Sequence, residues 1–153
     1  PMHKLTQLRR LACLAALFLF ATTLAAGEKK LMHCFVFTPI DSATEAEWQA
    51  FYKATDDLPA KIEGVSRVWY GKLRLPLNIF SVADAEARKK LAGGEPKVTA
   101  EVGRVVRRHG VCMEMADEAA LKTYADHPVH KEWEKIYFKV RQPGTTTFDI
   151  LGQ

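Results

Sequence analysis

Apolar positions change their spacing several times along the chain, and each change marks an element. Leu31 to Thr38 (LMHCFVFT) is rich in aromatic and β-branched residues and ends at Pro39, the pattern of a buried strand. Ser42 followed by Glu45 resembles a capping box, after which Trp48, Phe51, Tyr52, Thr55 and Leu58 recur at helical spacing. Pro59 and Gly64 end that helix, and Val65 to Leu73 (VSRVWYGKL) returns to strand composition. Arg74 to Arg108 reads as an excursion between two strands, with a short helical pattern over Ala83 to Leu91, a Gly93-Gly94 break, Pro96 and a branched run from Val98 to Val106. His109 to Met115 (HGVCMEM) is the third core strand. Asp117 caps a helix from Glu118 to Asp126, and Pro128, accepted at the first helical position, opens another to about Val140. Its apolar face uses Val129, Trp133, Ile136 and Val140. After Pro143-Gly144, Thr145 to Leu151 (TTTFDIL) reads as the closing strand.

The order β-α-β-β-α-β predicts an α+β, ferredoxin-like fold: a four-stranded antiparallel sheet with the first and third strands adjacent and helices over one face. The other face needs a cover, and a second copy of the chain is the economical one, so a homodimer is expected. Strand parity puts His33, Phe35 and Phe37 on one face, and His109, Val111, Met113 and Met115 on one face of the third strand. If the two strands adjoin, His33 and His109 are expected close together.

Length and composition narrow the classes. At 153 residues, 48% hydrophobic and 26% charged, the chain suits one globular domain and excludes a disordered or collagen-like protein. Lys4, Arg9 and Arg10 lie in the first 26 residues with no acid, so of the net +4 only +1 belongs to the rest. No nucleic-acid partner is expected. The same 26 residues read as a cleaved signal peptide: a basic start, an apolar run from Leu11 to Leu24, and small residues at Ala25-Ala26-Gly27. The apolar run falls short of the roughly 20 residues a membrane-spanning helix needs, so no permanent membrane anchor is expected. The protein is then exported, periplasmic or extracellular, with one domain over residues 27–153. Cys34 and Cys112, flanked by strand-like neighbours, read as two buried thiols, with a single bridge as the alternative. Arg104, Arg107 and Arg108 read as a solvated patch, since no glycine-rich loop frames them. His33, His109 and His130 are imidazoles of the kind that bind zinc or copper, but no carboxylate is placed to complete a set, and neither metal nor cofactor is expected.

One stretch is more specific. Tyr124-Ala125-Asp126-His127-Pro128-Val129-His130, after a strand opening at His109, with Met32-His33 in the first strand, Gly64-Val65 before the second and Phe148-Asp149 in the last, resembles the stress-responsive A/B barrel (Dabb) family. The resemblance covers about Leu31 to Leu73 and His109 to Leu151. It implies a dimeric α+β barrel with a pocket between sheet and helices and, for most members, no settled activity. Some members are plant polyketide cyclases that use a tyrosine and a histidine as acid and base without a cofactor. By position that pair falls on Tyr124 and His130, and further pocket histidines on His33 and His109. Phe35, Val111, Trp48 and Tyr52 complete the candidate pocket for a small apolar or aromatic molecule. Beside the resemblance stands a physical point: on one continuous helix Tyr124 and His130 would diverge, and the Pro128 break re-aims the chain between them. It also sets His130 in a first helical turn, where the helix dipole disfavours imidazolium. The competing readings are an enzyme doing cyclisation, isomerisation or decarboxylation, an α+β barrel monooxygenase, and a purely structural role in which the pair ties two helices together.

Overall fold

The computed structural model describes residues 30–152; the signal-peptide reading of residues 1–26 lies outside them. The elements are β1 (Leu31–Pro39), α1 (Glu45–Asp56), α2 (Leu58–Lys61), β2 (Val65–Val82), α3 (Ala85–Ala92), β3 (Val102–Met115), α4 (Glu118–Asp126), α5 (Pro128–Tyr137) and β4 (Arg141–Leu151). The strands form one antiparallel sheet in the order β2-β3-β1-β4. This is the expected ferredoxin-like α+β arrangement, with β1 and β3 adjacent.

The core lies between the helices and the sheet face that carries Leu31, Phe35 and Phe37 of β1 and Val111, Met113 and Met115 of β3. Phe51, Leu58, Ile62, Tyr124, Trp133 and Tyr137 meet them from the helical layer. Burial of this kind is the dominant stabilising term, about 1.5–3 kcal/mol for each large apolar side chain. Fully buried Thr55 links α1 to α5: its hydroxyl donates to the Phe51 carbonyl at 2.7 Å and accepts from the Trp133 indole N–H at 2.9 Å.

Local chemistry sets the helix ends. Thr44, not Ser42, caps α1, in a reciprocal box with Glu47. Both pairs fit the same spacing rule, but the chain is still turning at Asp41 and Ser42. Asp117 caps α4 as expected. His127 caps α5, its Nδ1 accepting from the Val129 N–H, and Pro128 occupies the first turn. The last strand begins at Arg141, four residues earlier than its composition implies. Pro143 is tolerated there because β4 is an edge strand and Gly144 takes φ +89°.

One expectation is refined and two are corrected. The excursion at residues 74–108 is part of the sheet itself, with its helical pattern realised at Ala85–Ala92. β2 and β3 run past the sheet as a two-stranded arm, Leu77 pairing with Arg107 through to Val82 with Val102, and α3 sits at its tip. The register slips between Lys72 and Leu77, where Pro76 falls and extra residues bulge from β2. The cysteines are not free thiols: Cys34 and Cys112 lie opposite each other on β1 and β3 and form a disulfide. Facing residues of adjacent antiparallel strands come within bridging range, which sequence separation hides. Arg107 is not solvated; it is 7% exposed and donates to Thr38 Oγ1, the Gly144 carbonyl and Thr146 Oγ1, spanning β1 to reach β4.

Candidate functional site

A cleft of about 290 Å³ opens between β1, β4 and helices α4 and α5. Phe35, Trp133 and Tyr137 make its aromatic floor, Phe35 meeting Trp133 edge-on at 5.9 Å and Trp133 stacking on Tyr137 at 4.9 Å. Tyr124, His130 and His33 line one end, and Arg141, Phe138 and Thr145 also line it. A larger recess, about 540 Å³, lies by the arm under Val82, Leu91 and Val102, but Lys97 is its one charged lining group and it holds no acid–base pair. The candidate acid–base residues Tyr124, His130 and His33 line the cleft.

The break at Pro128 does what the spacing calls for. Tyr124 ends α4, His130 sits in the first turn of α5, and their rings approach to 4.2 Å between centroids. Tyr124 is 3% exposed. Burial first, then the charges of Glu134 and Tyr137, hold its phenol well above the ordinary tyrosine range, so at neutral pH it is a proton donor and not a phenolate. His130 Nδ1 lies 3.2 Å from the Ala125 carbonyl. A carbonyl only accepts, so Nδ1 carries the proton and Nε2 is the acceptor of the neutral ring. The same bond ties α5 to α4, so the structural role proposed for this pair is present alongside its placement in the cleft.

His33 enters from β1, its ring 5.9 Å from that of Tyr124. The register sets it opposite Asp149 on β4, and Nδ1 donates to Asp149 Oδ1 at 2.7 Å. A carboxylate accepting from Nδ1–H orients the ring, and in the neutral imidazole Nε2 is then the acceptor. Asp149 appears in the sequence as a family match and not as a site residue. Its signal was strand parity, since Asp149, Thr147 and Thr145 share a face of the last strand, but the pairing with β1 was needed to put that face against His33.

The remaining pocket candidates go elsewhere. His33 and His109 do share a sheet face, but His33 faces Met113 and His109 faces Phe37, so they lie four positions apart along the ladder. Antiparallel register, invisible in the separate strands, decides this. His109 stacks on Trp48 at 4.9 Å and lies tilted against Phe37 at 5.6 Å. Burial, followed by Lys72 and Arg108, lowers its pKa, and its Nδ1 is buried without a partner among the described residues. Val111 is core. Trp48 packs against that core, and Tyr52 stacks on Tyr70 at 5.2 Å. The Tyr70 hydroxyl donates to Asp56 and, mainly through burial, has its pKa pushed up to about 12. Only His33 and Phe35 of the six pocket candidates join Tyr124 and His130 in the cleft. Among the described residues no three His, Cys, Asp or Glu side chains are grouped to hold a metal ion.

No family model and no curated protein matches the sequence. Solved structures do match the fold. A Dabb family protein with a ferredoxin-like fold from Mesorhizobium loti is 19% identical, with a TM-score of 0.52 over 82% of this chain and 99% of its own. A dimeric ferredoxin-like protein of unknown function from Thermobifida fusca is 16% identical, with a TM-score of 0.52 over 84% of this chain and 96% of its own. Hydroxynitrile lyase from Passiflora edulis is 9% identical, with a TM-score of 0.55 over 83% of this chain and 95% of its own. At these identities the likeness is one of fold. The four-stranded sheet with its helical layer is therefore the ferredoxin-like fold that Dabb proteins share, and function has to be argued from the cleft.

Proposed function

We propose that this is an exported, homodimeric protein of the Dabb type that binds a small apolar or aromatic molecule in the cleft between β1, β4, α4 and α5. The observation that carries the reading is the convergence of Tyr124, His130 and His33 on an aromatic-floored cleft. An apolar wall with a few converging polar groups is the usual build of a small-molecule site. Export has independent support from the Cys34–Cys112 bridge, since disulfides persist in oxidising compartments and are rare in the cytosol. Dimerisation is supported by the open sheet face, where Trp69 and Phe148 flank the bridge, with Trp69 47% exposed, Phe148 46% and Ile150 56%. The Thermobifida protein of the same fold is described as a dimer.

A second reading, cofactor-free catalysis, is favoured by one specific feature. Tyr124 is a donor and His130 Nε2 an acceptor, held ring against ring, with the His33–Asp149 pair beside them. The division is the one proton-transfer chemistry needs: the imidazole takes a proton from the bound molecule while the phenol hydrogen-bonds to the developing oxyanion. That the fold hosts a lyase in Passiflora makes this a natural alternative.

The test uses phenol, indole and 1-naphthol as flat apolar probes and follows the Trp133 indole N–H resonance. The reading expects saturable shifts there and weaker binding in Tyr124→Phe and His130→Ala. Shifts confined to the indoles of Trp48 or Trp69, or none at all, would sink it. If turnover of any substrate is found, His130→Ala should lower the rate by about 10² or more.

A further inference from the structure

We infer that the cleft is built for an anionic ligand: an elongated aromatic or apolar molecule carrying a carboxylate, held by Arg141 at the end opposite the Tyr124–His130 pair. The inference rests on the reading of the cleft as a ligand site and adds the class of ligand.

Arg141 opens β4 and lines the cleft. Its guanidinium lies over the Phe138 ring at 4.4 Å and the Tyr137 ring at 5.0 Å. A cation–π contact of this kind holds the guanidinium near the rings and uses none of its N–H donors. Nη1 donates to the carbonyl of its neighbour Gln142 at 3.2 Å. Nε is buried and has no partner among the described residues, and no described carboxylate forms an ion pair with the side chain. A buried donor on a permanent cation left unpaired is costly, and such exceptions call for an explanation. The contacts with Phe138 and Tyr137 use the charge of Arg141 but none of its N–H donors, so the buried Nε–H is still without an acceptor among the described residues. A planar fork in a cleft wall is the group that recognises a carboxylate.

The other charges of the cleft give it a direction. Asp149 holds His33 at one end, while Glu134 lines the cleft midway along α5, four residues from both His130 and Phe138. Arg141 acts on Tyr137 at the other. An anion is therefore repelled from the histidine end and attracted to the Arg141 end. Between them runs the face of Trp133 and Tyr137, with Thr147 and Thr145 along β4. From Asp149 to Thr145 the strand rises about 13 Å, so a molecule spanning the cleft is longer than a single ring. Its uncharged end then lies against Tyr124 and His130, where proton transfer would act.

The experiment compares 4-phenylbutyrate with its neutral isostere 4-phenylbutanamide, reading the indole N–H of Trp133 and the Nε–H of Arg141 by ¹⁵N-resolved NMR. The acid should bind at least about tenfold more tightly than the amide, the effect of one hydrogen bond to a charged group. It should also move the Arg141 Nε–H resonance, which the amide should leave in place. Arg141→Gln should remove the preference by weakening the acid alone. If that variant fails to fold, the Arg141 resonance in the unaltered protein still decides. Equal affinity for acid and amide, an unmoved Arg141 Nε–H, or a preference that survives in Arg141→Gln would overturn the inference while leaving the cleft as a ligand site. Failure of both molecules to shift Trp133 would count against the inference and against the cleft reading together.

Discussion

Thr55 shows how much one small polar side chain carries in this molecule. It is fully buried, and its hydroxyl stands between the Phe51 carbonyl and the Trp133 indole, fixing the ring that floors the cleft. Thr55→Val keeps the shape and leaves the indole N–H unpaired, which should cost about 1–3 kcal/mol in urea unfolding and broaden the Trp133 resonance. His109 gives the protein a pH dependence of definite sign. Its pKa in the folded chain lies below the unfolded value of about 6.5, chiefly through burial. Above pH 6.5 the ring is neutral in both states and folding has its full stability. As pH falls from 6.5 toward the lowered folded value, the unfolded chain binds more protons and stability declines. His109→Gln should flatten that decline. A urea midpoint that drops equally in both proteins between pH 7 and pH 5 would show that other groups are responsible.

Among the elements, the arm stands apart. Leu77, Phe80, Val102 and Val105 are all 40% exposed or more, and the outer parts of β2 and β3 pair only with each other. A two-stranded ribbon without a covered face is marginally stable. Amide hydrogen exchange should therefore be fastest among the strands at residues 77–82 and 102–106, and slowest in central β1, which is paired on both sides and buried. Equal protection in arm and β1 would mean that something covers the arm in solution. The exposed apolar residues are also why this region resists reading from its sequence: its hydrophobic positions do not mark an inside, so their alternation carries no topological information. The helices were easier, because caps and prolines are local signals. Asp117, His127 and Pro128 mark the ends of α4 and the start of α5.

For the molecule as a whole, the open sheet face is decisive. Its exposed Trp69, Phe148 and Ile150 surround a bridge that staples the two central strands. On the proposed dimer, residues 27–153 should elute at twice the monomer mass in light scattering, and Trp69→Glu with Phe148→Glu should yield a folded monomer. A monomeric parent protein would refute the pairing of sheets. Folded variants that still dimerise would place the interface elsewhere. The proposed dimer face and the cleft lie on opposite faces of one sheet, so losing one need not destroy the other, although β1 contributes side chains to both.

Local periodicity and caps were enough to predict the strand and helix order and the adjacency of β1 and β3 through the fold it implies, and the break at Pro128 made room for the pairing of Tyr124 with His130 that the Dabb resemblance implies. These depend on steric and hydrogen-bonding rules that act within a few residues. Register and cross-strand partnership were not available in the same way. Which residue faces which depends on how strands far apart in sequence slide against one another, and a shift of two positions leaves every hydrophobic pattern intact. That freedom is why only the tertiary structure could separate His109 from His33, bring Asp149 to His33, join Cys34 to Cys112, bury Arg107 across β1 and set Arg141 in the cleft with no partner among the described residues for its Nε–H.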